Sequence, residues 1–231
     1  MTFKQTMATL KKMGTAQNVK IYKRHGAGDN LFGVSFANLK LLKKQIKTDH
    51  DLAEQLWNTG NSDAQTLATM IADPDALTVK TADAWMKSIT SHALACTFAD
   101  MIARSKLAAD RMKKWMNLKK EMTRCCGYSV LCTMLRNDAD QLDDSTCEAI
   151  LKTIEAEIHE SANYARHSMI LGLIAIGIYK PQLQKTAIAA SRRIGKVEVD
   201  HGETSCKTPA AEPYILKAAK RKSAKKKSGR V

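Results

Sequence analysis

A tryptophan and an arginine near the middle of the chain are the residues whose types and surroundings could act on a ligand. A lone tryptophan on an apolar helix face is usually a core residue, but partly polar neighbours in residues 83–87 favour a groove edge for Trp85. Arg124 follows Glu121 by three positions, which suits either a helix-surface ion pair or a phosphate clamp. Both alternatives stay open for each residue at this point.

The other two tryptophans give weaker signals. Trp57 shares a helical stripe with Leu52 and Leu56 and faces Leu67 of the next predicted helix, so we predict a core position. Trp115 lies between two lysine pairs, which suits either an amphipathic cap on the fold or a stacking residue.

The charge of the chain predicts a polyanionic partner. The formal net charge is +14, and residues 217–231 hold eight basic residues and no acidic one. The remainder of the chain still carries more basic than acidic residues. A basic surface attracts phosphates through counterion release, so we expect a nucleic acid, although a solvated basic surface also aids solubility.

Several cations could contact that partner. Lys23 and Arg24 end an early predicted helix, where they could equally stabilise the helix dipole. Lys40, Lys43, Lys44 and Lys47 recur on one helical face, which we interpret as solvated. The predicted contacts to this nucleic acid are Lys23, Arg24, Lys87, Arg124, Arg166 and His167.

The segment of residues 196–209 breaks the helical pattern. It alternates with period two before turn residues, which predicts a loop with a strand of about two to four residues at most. Asp200, His201, Glu203 and Cys206 could bind a metal or form a Cys/His pair, but their spacing matches no standard ligand motif. We therefore predict a structural loop, with no metal site and no cofactor.

Cysteine usage and hydropathy predict a protein without disulfides and without a membrane span. The six cysteines lack CxxC spacing and five lie in helical patterns, so we expect reduced core thiols. The most apolar run, residues 168–178, is about half of the ~20 residues that span a membrane. With no visible targeting segment, we expect a cytoplasmic protein, associated with the nucleoid if bacterial.

Helical periodicity runs almost throughout the chain and predicts an all-α fold. About six helix pairs at a spacing of 35–40 residues predict a HEAT-like α–α superhelix (solenoid), because such pairs bury their apolar stripes by stacking. Predicted caps are the capping boxes 62–65 and 145–148 and the helix-end glycines Gly14, Gly26 and Gly60. Residues 1–218 form one predicted domain and residues 219–231 a disordered basic tail. The predicted helices are 3–12, 16–25, 35–46, 50–59, 62–72, 78–89, 92–104, 107–116, 119–135, 145–158, 161–178 and 181–194, with a short one near 213–220.

Residues 52–60 and 64–71, together with 84–86, 124–128 and 194–209, resemble the DNA alkylation repair family of HEAT-like repeat DNA glycosylases. The resemblance covers roughly residues 15–218. It implies a basic concave groove that holds double-stranded, alkylated DNA, excision of N3- or N7-alkylated purines, and Trp85 and Arg124 as the catalytic positions. We also expect a monomer.

The sequence departs from the pattern of this family at the carboxylate. The resemblance places an aspartate near residues 89–91, yet no Asp or Glu lies between Trp85 and Phe98. Asp83, Asp100 and Glu121 are the candidate substitutes. The alternatives to a glycosylase are a non-catalytic DNA-binding or damage-sensing module and, in third place, a protein-interaction scaffold.

Overall fold

The computed structural model describes the backbone of residues 1–227 and the side chains of residues 1–221. Over this range the chain forms thirteen α-helices and two short 3-10 helices, Ala139–Gln141 and Pro181–Leu183. Each of the predicted helices is present, which confirms the all-α class. The helices are α1 (Phe3–Met13), α2 (Ala16–Arg24), α3 (Phe36–Ile46), α4 (His50–Asn58), α5 (Ser62–Ile71), α6 (Val79–Ser88), α7 (His92–Ile102), α8 (Ala108–Met116), α9 (Glu121–Asn137), α10 (Asp144–Glu157), α11 (Asn163–Tyr179), α12 (Gln184–Ile194) and α13 (Ala211–Lys227).

The helices stack in two rows. In the inner row, α3, α5, α7, α9, α11 and α13 each pack against the next member. In the outer row, α4 packs onto α5 and α8 packs onto α9, while α10 and α12 both pack onto α11. Helix α6 joins the outer row through side-chain contacts with α4 and α8. This is the predicted superhelix of stacked pairs, and its open face is the side of the inner row that the outer row leaves uncovered.

Two helix caps differ from the predicted capping boxes. Asn61, rather than Ser62, caps α5, because its Oδ1 accepts from the backbone N–H of Ala64 at 3.1 Å. Asp143, rather than Ser145, caps α10. Asn and Asp cap as well as Ser does, and in both helices the polar residue that comes earlier in the chain is the cap.

The glycines predicted at helix ends have different reasons to be glycine. Gly26 and Gly60 have φ of 80° and 65°, as predicted for helix ends. Gly14 instead has φ −71°, so the prediction was wrong for it. A Cβ at Gly14 would lie 2.1 Å from the carbonyl oxygen of Phe32, and this close approach excludes any side chain.

Helix α2 and the loop between α12 and α13 bring the two ends of the chain together. Residues 195–210 contain no strand, so the expected short strand is absent there. The loop is tied to α11, since Asn163 and the backbone of Asp200 exchange two hydrogen bonds of 2.7 Å. A Cβ at Gly202 would lie 3.3 Å from the carbonyl oxygen of Arg24 at the end of α2. The first helix pair therefore contacts the last loop across one end of the open face.

The last helix extends further than predicted. Ile215 is fully buried and packs against Gly177 of α11, which fixes α13 to the inner row. The helix continues to Lys227, through part of the tail predicted at 219–231, because Lys, Arg and Ala favour helix. Residues 228–231 lie outside the described residues, and the boundary at 218 stays a prediction. Over residues 1–227, no helix combines the length and the apolar character that a bilayer crossing needs.

Candidate nucleic-acid interface

Trp85 lies in the core and not at a groove edge. Its ring stacks on that of Trp57 with centroids 4.3 Å apart and planes 3° from parallel. Both side chains are buried, which confirms the predicted core position of Trp57. Phe98 of α7 packs at an angle against the pair. A catalytic role for Trp85 stays a prediction, and in this structure the ring packs against Trp57 and Phe98.

Trp115 and Asp83 form a second interior contact. Trp115 is buried, so it is neither a cap nor an exposed stacking residue, and its Nε1 donates to Asp83 at 3.2 Å. The same carboxylate accepts from Arg111 at 2.8 and 2.9 Å and from Lys114 at 2.8 Å. Desolvation acts to raise the pKa of Asp83, but the hydrogen bonds from Lys114, Arg111 and Trp115 together hold it below its usual value. This carboxylate ties α6 to α8.

Arg124 is anchored inside the protein by all three of its nitrogens. Nε donates to the carbonyl oxygen of Leu118 at 3.1 Å, and Nη1 to Ser161 at 3.0 Å. Nη2 donates to Glu157 of α10 at 2.8 Å. The helix-surface pair with Glu121, one of the two alternatives, is not formed, and the Glu121 carboxylate instead accepts from the backbone N–H of Tyr164 at the start of α11. The catalytic and phosphate-binding roles predicted for Arg124 therefore stay untested, and each nitrogen of the guanidinium already has a partner within the protein.

The other predicted DNA contacts lie in different places. Lys23 pairs with Asp29 at 2.6 Å and is half-exposed. Arg24 is exposed beside the 203–206 loop. Lys87 is exposed on α6 in the outer row. Arg166 donates to backbone carbonyls of Glu198 and Ser161, which fixes the loop to α11. Arg24, Arg166 and His167 lie around the loop between α12 and α13, whereas Lys87 lies on α6 and Arg124 is buried.

A basic cleft lies on the open face, between the first half of α3 and the C-terminal ends of α5, α7 and α9. Apart from the basic groove that the resemblance implies, the sequence did not indicate it, because its residues are not among the predicted DNA contacts. Its volume is about 460 Å³, and its cations are Lys40 and Lys43 of α3, Arg104 after α7 and Arg136 of α9. Lys40 and Lys43 form no ion pair within residues 1–221. The prediction that these lysines face solvent holds, but the helix stack adds arginines from two other repeats. The arginines near the ends of two successive inner helices, Arg104 after α7 and Arg136 in α9, were the available signal.

One carboxylate lies in the basic cleft. Asp100 Oδ1 accepts from Arg136 at 3.0 Å and from Thr133 at 2.7 Å, and its side chain is about half exposed. It is the candidate substitute carboxylate that lies on the open face. Phe36 is the aromatic residue that lines the same cleft.

A histidine cluster lies at the opposite, N-terminal end of the inner helices. His92 of α7 stacks on Tyr164 at 5.3 Å and contacts His167 of α11 at 5.5 Å between ring centroids. His167 contacts His201 of the loop at 5.1 Å. We name His92, Tyr164, His167 and His201 the histidine cluster. The sequence offered His167 and His201 as separate candidates and missed His92, because no spacing links three repeats.

The protonation of the cluster is set by its packing. Burial, with further repulsion from His92 and His201, lowers the pKa of His167 to about 4. Burial and the proximity of His201 also lower the pKa of His92. These two imidazoles are therefore neutral near pH 7 while no anion is close.

The loop of residues 200–206 holds its side chains by local bonds. Asp200 accepts from the backbone N–H of Gly202 at 2.7 Å, and His201 contacts the hydroxyl of Thr208 at 3.1 Å. Within the described residues, no three His, Cys, Asp or Glu side chains are arranged to hold a metal ion.

The chain matches one protein family and two bacterial proteins over nearly its whole length. The sequence profile of the family described as DNA alkylation repair enzyme matches residues 6–214. The uncharacterised protein Lin0241 of Listeria innocua is 29% identical over 226 residues, which are 95% of this chain and 98% of that protein. The uncharacterised protein Lmo0209 of Listeria monocytogenes is 27% identical over the same shares of the two chains.

A solved structure has the same fold. It is described as a new family of proteins related to the HEAT-like repeat DNA glycosylases with affinity for branched DNA structures. It superposes with a TM-score of 0.90 at 29% identity, covering 96% of this chain and 95% of that one. The two-row helix stack and the match over nearly the whole length agree, and the chain belongs to the DNA alkylation repair enzyme family.

Proposed function

We propose that this protein binds branched DNA on the open face of its inner row and does not break the N-glycosidic bond. The observation that carries the proposal is the basic cleft, where cations from three inner helices share one open surface. The solved relative at 29% identity, described as having affinity for branched DNA structures, supports the choice of DNA. With DNA as the partner, we place the protein in the cytoplasm, at the nucleoid in a bacterium.

The cleft suits phosphates of more than one strand. Lys40 and Lys43 extend from α3, while Arg104 and Arg136 come from two repeats further along the row. Lysine binds a phosphate as a point charge, and arginine binds it through a planar fork. A row of such cations follows a DNA backbone without reading its sequence. A branch point places several backbones close together, which increases the number of simultaneous phosphate contacts.

The carboxylates argue against hydrolysis. A glycosylase of this kind needs a carboxylate to stabilise the positive charge that develops on the sugar. At the position where the resemblance places it, Ile89 is buried. Asp83 and Glu121 are bonded within the protein. Base excision from duplex DNA carrying N3- or N7-alkylpurines is the second candidate function, and the exposed Asp100 is the observation that favours it.

A binding titration tests the proposal. A fluorescent four-way junction, a three-way junction and a linear duplex of the same arm sequences are titrated with the full chain at several salt concentrations. We expect tighter binding to both junctions than to the duplex, with an affinity that falls steeply with salt. Equal affinity for all three DNAs would overturn the preference for branches. No retardation of any DNA at low salt would favour a protein-interaction scaffold.

The same samples test the chemistry. Duplex and junction DNA containing N7-methylguanine and N3-methyladenine are incubated with the protein, and free bases are separated from the DNA. We expect no release above the buffer control. Release that disappears in the Asp100→Asn variant would instead establish the second candidate. Sedimentation of the complex tests the predicted monomer by its protein-to-DNA ratio.

A further inference from the structure

The histidine cluster lines a second cleft, of about 470 Å³, under the end of α2. His25 and Tyr22 of α2 form its other wall, and Lys207 of the loop lies at its edge. Four imidazoles, two phenols and one ammonium therefore surround one space. No Asp or Glu of the described residues lines this cleft. A space with this composition suits an anion.

The backbone adds to this preference. His92 is the first residue of α7, while Tyr164 and His167 belong to the first turns of α11. The positive ends of two long helix dipoles therefore lie at the cleft, where they favour a negative charge. His167 Nδ1 is buried and has no hydrogen-bond partner.

The carboxylates near the histidine cluster already accept hydrogen bonds from backbone N–H groups. Glu121 accepts from the backbone N–H of Tyr164, and Asp200 from that of Gly202. Asp63, close to Tyr22, accepts from the backbone N–H of Gly33 and its two neighbours. The titratable and charged groups around the cluster are Tyr22, Arg24 and His25 of α2, Asp63 of α5, Cys96 of α7, Glu121 and Cys125 of α9, Arg166 of α11, and Asp200, Glu203, Cys206 and Lys207 of the loop.

We propose that the histidine cluster is a second anion site, which binds a phosphodiester of the DNA and takes up protons as it does so. This inference rests on the proposed function, because it names a contact of the same DNA. The basic cleft and the histidine cleft lie at opposite ends of the inner helices. Together they give two separated phosphate sites, which suits a branched DNA with diverging strands.

The direction of the pH dependence follows from linkage. The free protein holds His167 and His92 neutral because they are buried and lie near one another and near His201. A bound phosphate raises their pKa values, since the opposite charge favours the imidazolium. The gain in affinity is therefore complete below the pKa of the free protein and is lost as the pH rises through the pKa of the complex.

The test is the affinity for the four-way junction at fixed salt between about pH 8 and about pH 6, a range in which imidazoles titrate. We expect wild-type affinity to rise on acidification by up to roughly tenfold per pH unit for each proton taken up. The single variants His92→Gln, His167→Gln and His201→Gln should each flatten this rise. His50→Gln is the matched control, since His50 lies on α4 in the outer row beside Glu54, and it should keep the wild-type pH dependence.

A measurement without DNA separates this site from the proposed function. Inorganic phosphate is titrated into the full chain while the imidazole Cε1 protons are followed by NMR across the same pH range. We expect phosphate to raise the pKa of His92 and His167 and to leave the Cε1 proton signal of His50 where it is without phosphate. Junction binding with an affinity independent of pH would overturn the histidine site and leave the proposed function intact. Phosphate that moves no imidazole of the cluster would overturn the site even if the protein failed to bind DNA.

Discussion

Trp57 and Trp85 stack face to face in the interior, with ring centroids 4.3 Å apart and planes inclined by 3°. Trp57 comes from α4 and Trp85 from α6, so the stack joins two neighbouring members of the outer row. The indole N–H of Trp57 donates to the hydroxyl of Ser88, so this N–H is not available to a ligand. The pair holds two repeats together through packing.

Shortening Trp85 tests this assignment. Trp85→Ala removes a buried ring, so we expect a loss of about 3–5 kcal/mol in the free energy of unfolding, measured by denaturant titration. Trp85→Phe keeps a ring beside Trp57 and should cost less. Junction affinity of the folded Trp85→Phe variant should equal that of the wild type. A variant with wild-type stability and impaired binding would show that the ring contacts DNA.

Removing the guanidinium of Arg124 tests whether this side chain stabilises the fold or binds a phosphate. Arg124→Gln loses charged hydrogen bonds to Leu118, Ser161 and Glu157, so we expect destabilisation by roughly 2–3 kcal/mol. The salt dependence of junction binding should not change, because the side chain faces the interior. Glu157→Gln is the matched change at the exposed partner and should cost less. A shallower salt slope in Arg124→Gln would establish a phosphate contact.

Neutralising Asp83 should make stability less sensitive to acid. Asp83→Asn leaves Nη1 of Arg111 without its carboxylate partner, and we expect a loss of about 3 kcal/mol near neutral pH. Since the folded pKa of Asp83 is depressed, its contribution is complete above the unfolded value of about 3.9 and is lost as the pH falls through the folded value. The difference between wild type and variant should therefore shrink below about pH 4 in chemical unfolding.

Asp110 supplies the control for this measurement. It contacts the same arginine, but its side chain is mostly exposed. Asp110→Asn should cost less than about 1 kcal/mol, as surface ion pairs do. Equal losses for the two variants would contradict the interior role of Asp83.

The cations of the basic cleft should set the salt dependence of DNA binding. We expect Lys43→Ala, Arg104→Gln and Arg136→Gln each to reduce the slope of log K against log salt by about one for a lost phosphate contact. Lys87→Ala removes a cation from the outer row and should leave the slope unchanged. The basic residues of the C-terminal segment are the same in all variants, so any difference between them belongs to the substituted position. A larger effect at Lys87 than at Lys43 would move the DNA to the other side of the molecule.

The sequence by itself determined the helices and their stacking. Periodic apolar residues are local signals, which fixed the thirteen predicted helices and the order of the pairs. Trp57 was assigned to the core for the same reason, because Leu52 and Leu56 lie on its own helix. The net charge also pointed to a polyanion, since it requires no coordinates.

Only the tertiary structure decided which side chains meet. Trp85 and Arg124 looked like site residues in sequence, but burial depends on neighbours contributed by other repeats. His92, His167 and His201 are distant in sequence and meet because α7, α11 and the last loop converge at one end of the inner row. The alternation of inner and outer helices, and the crossing of α2 to that loop, are set by packing between repeats. A stripe of residues on one helix does not specify which other helix covers it, and for this reason both clefts were visible only in the folded chain.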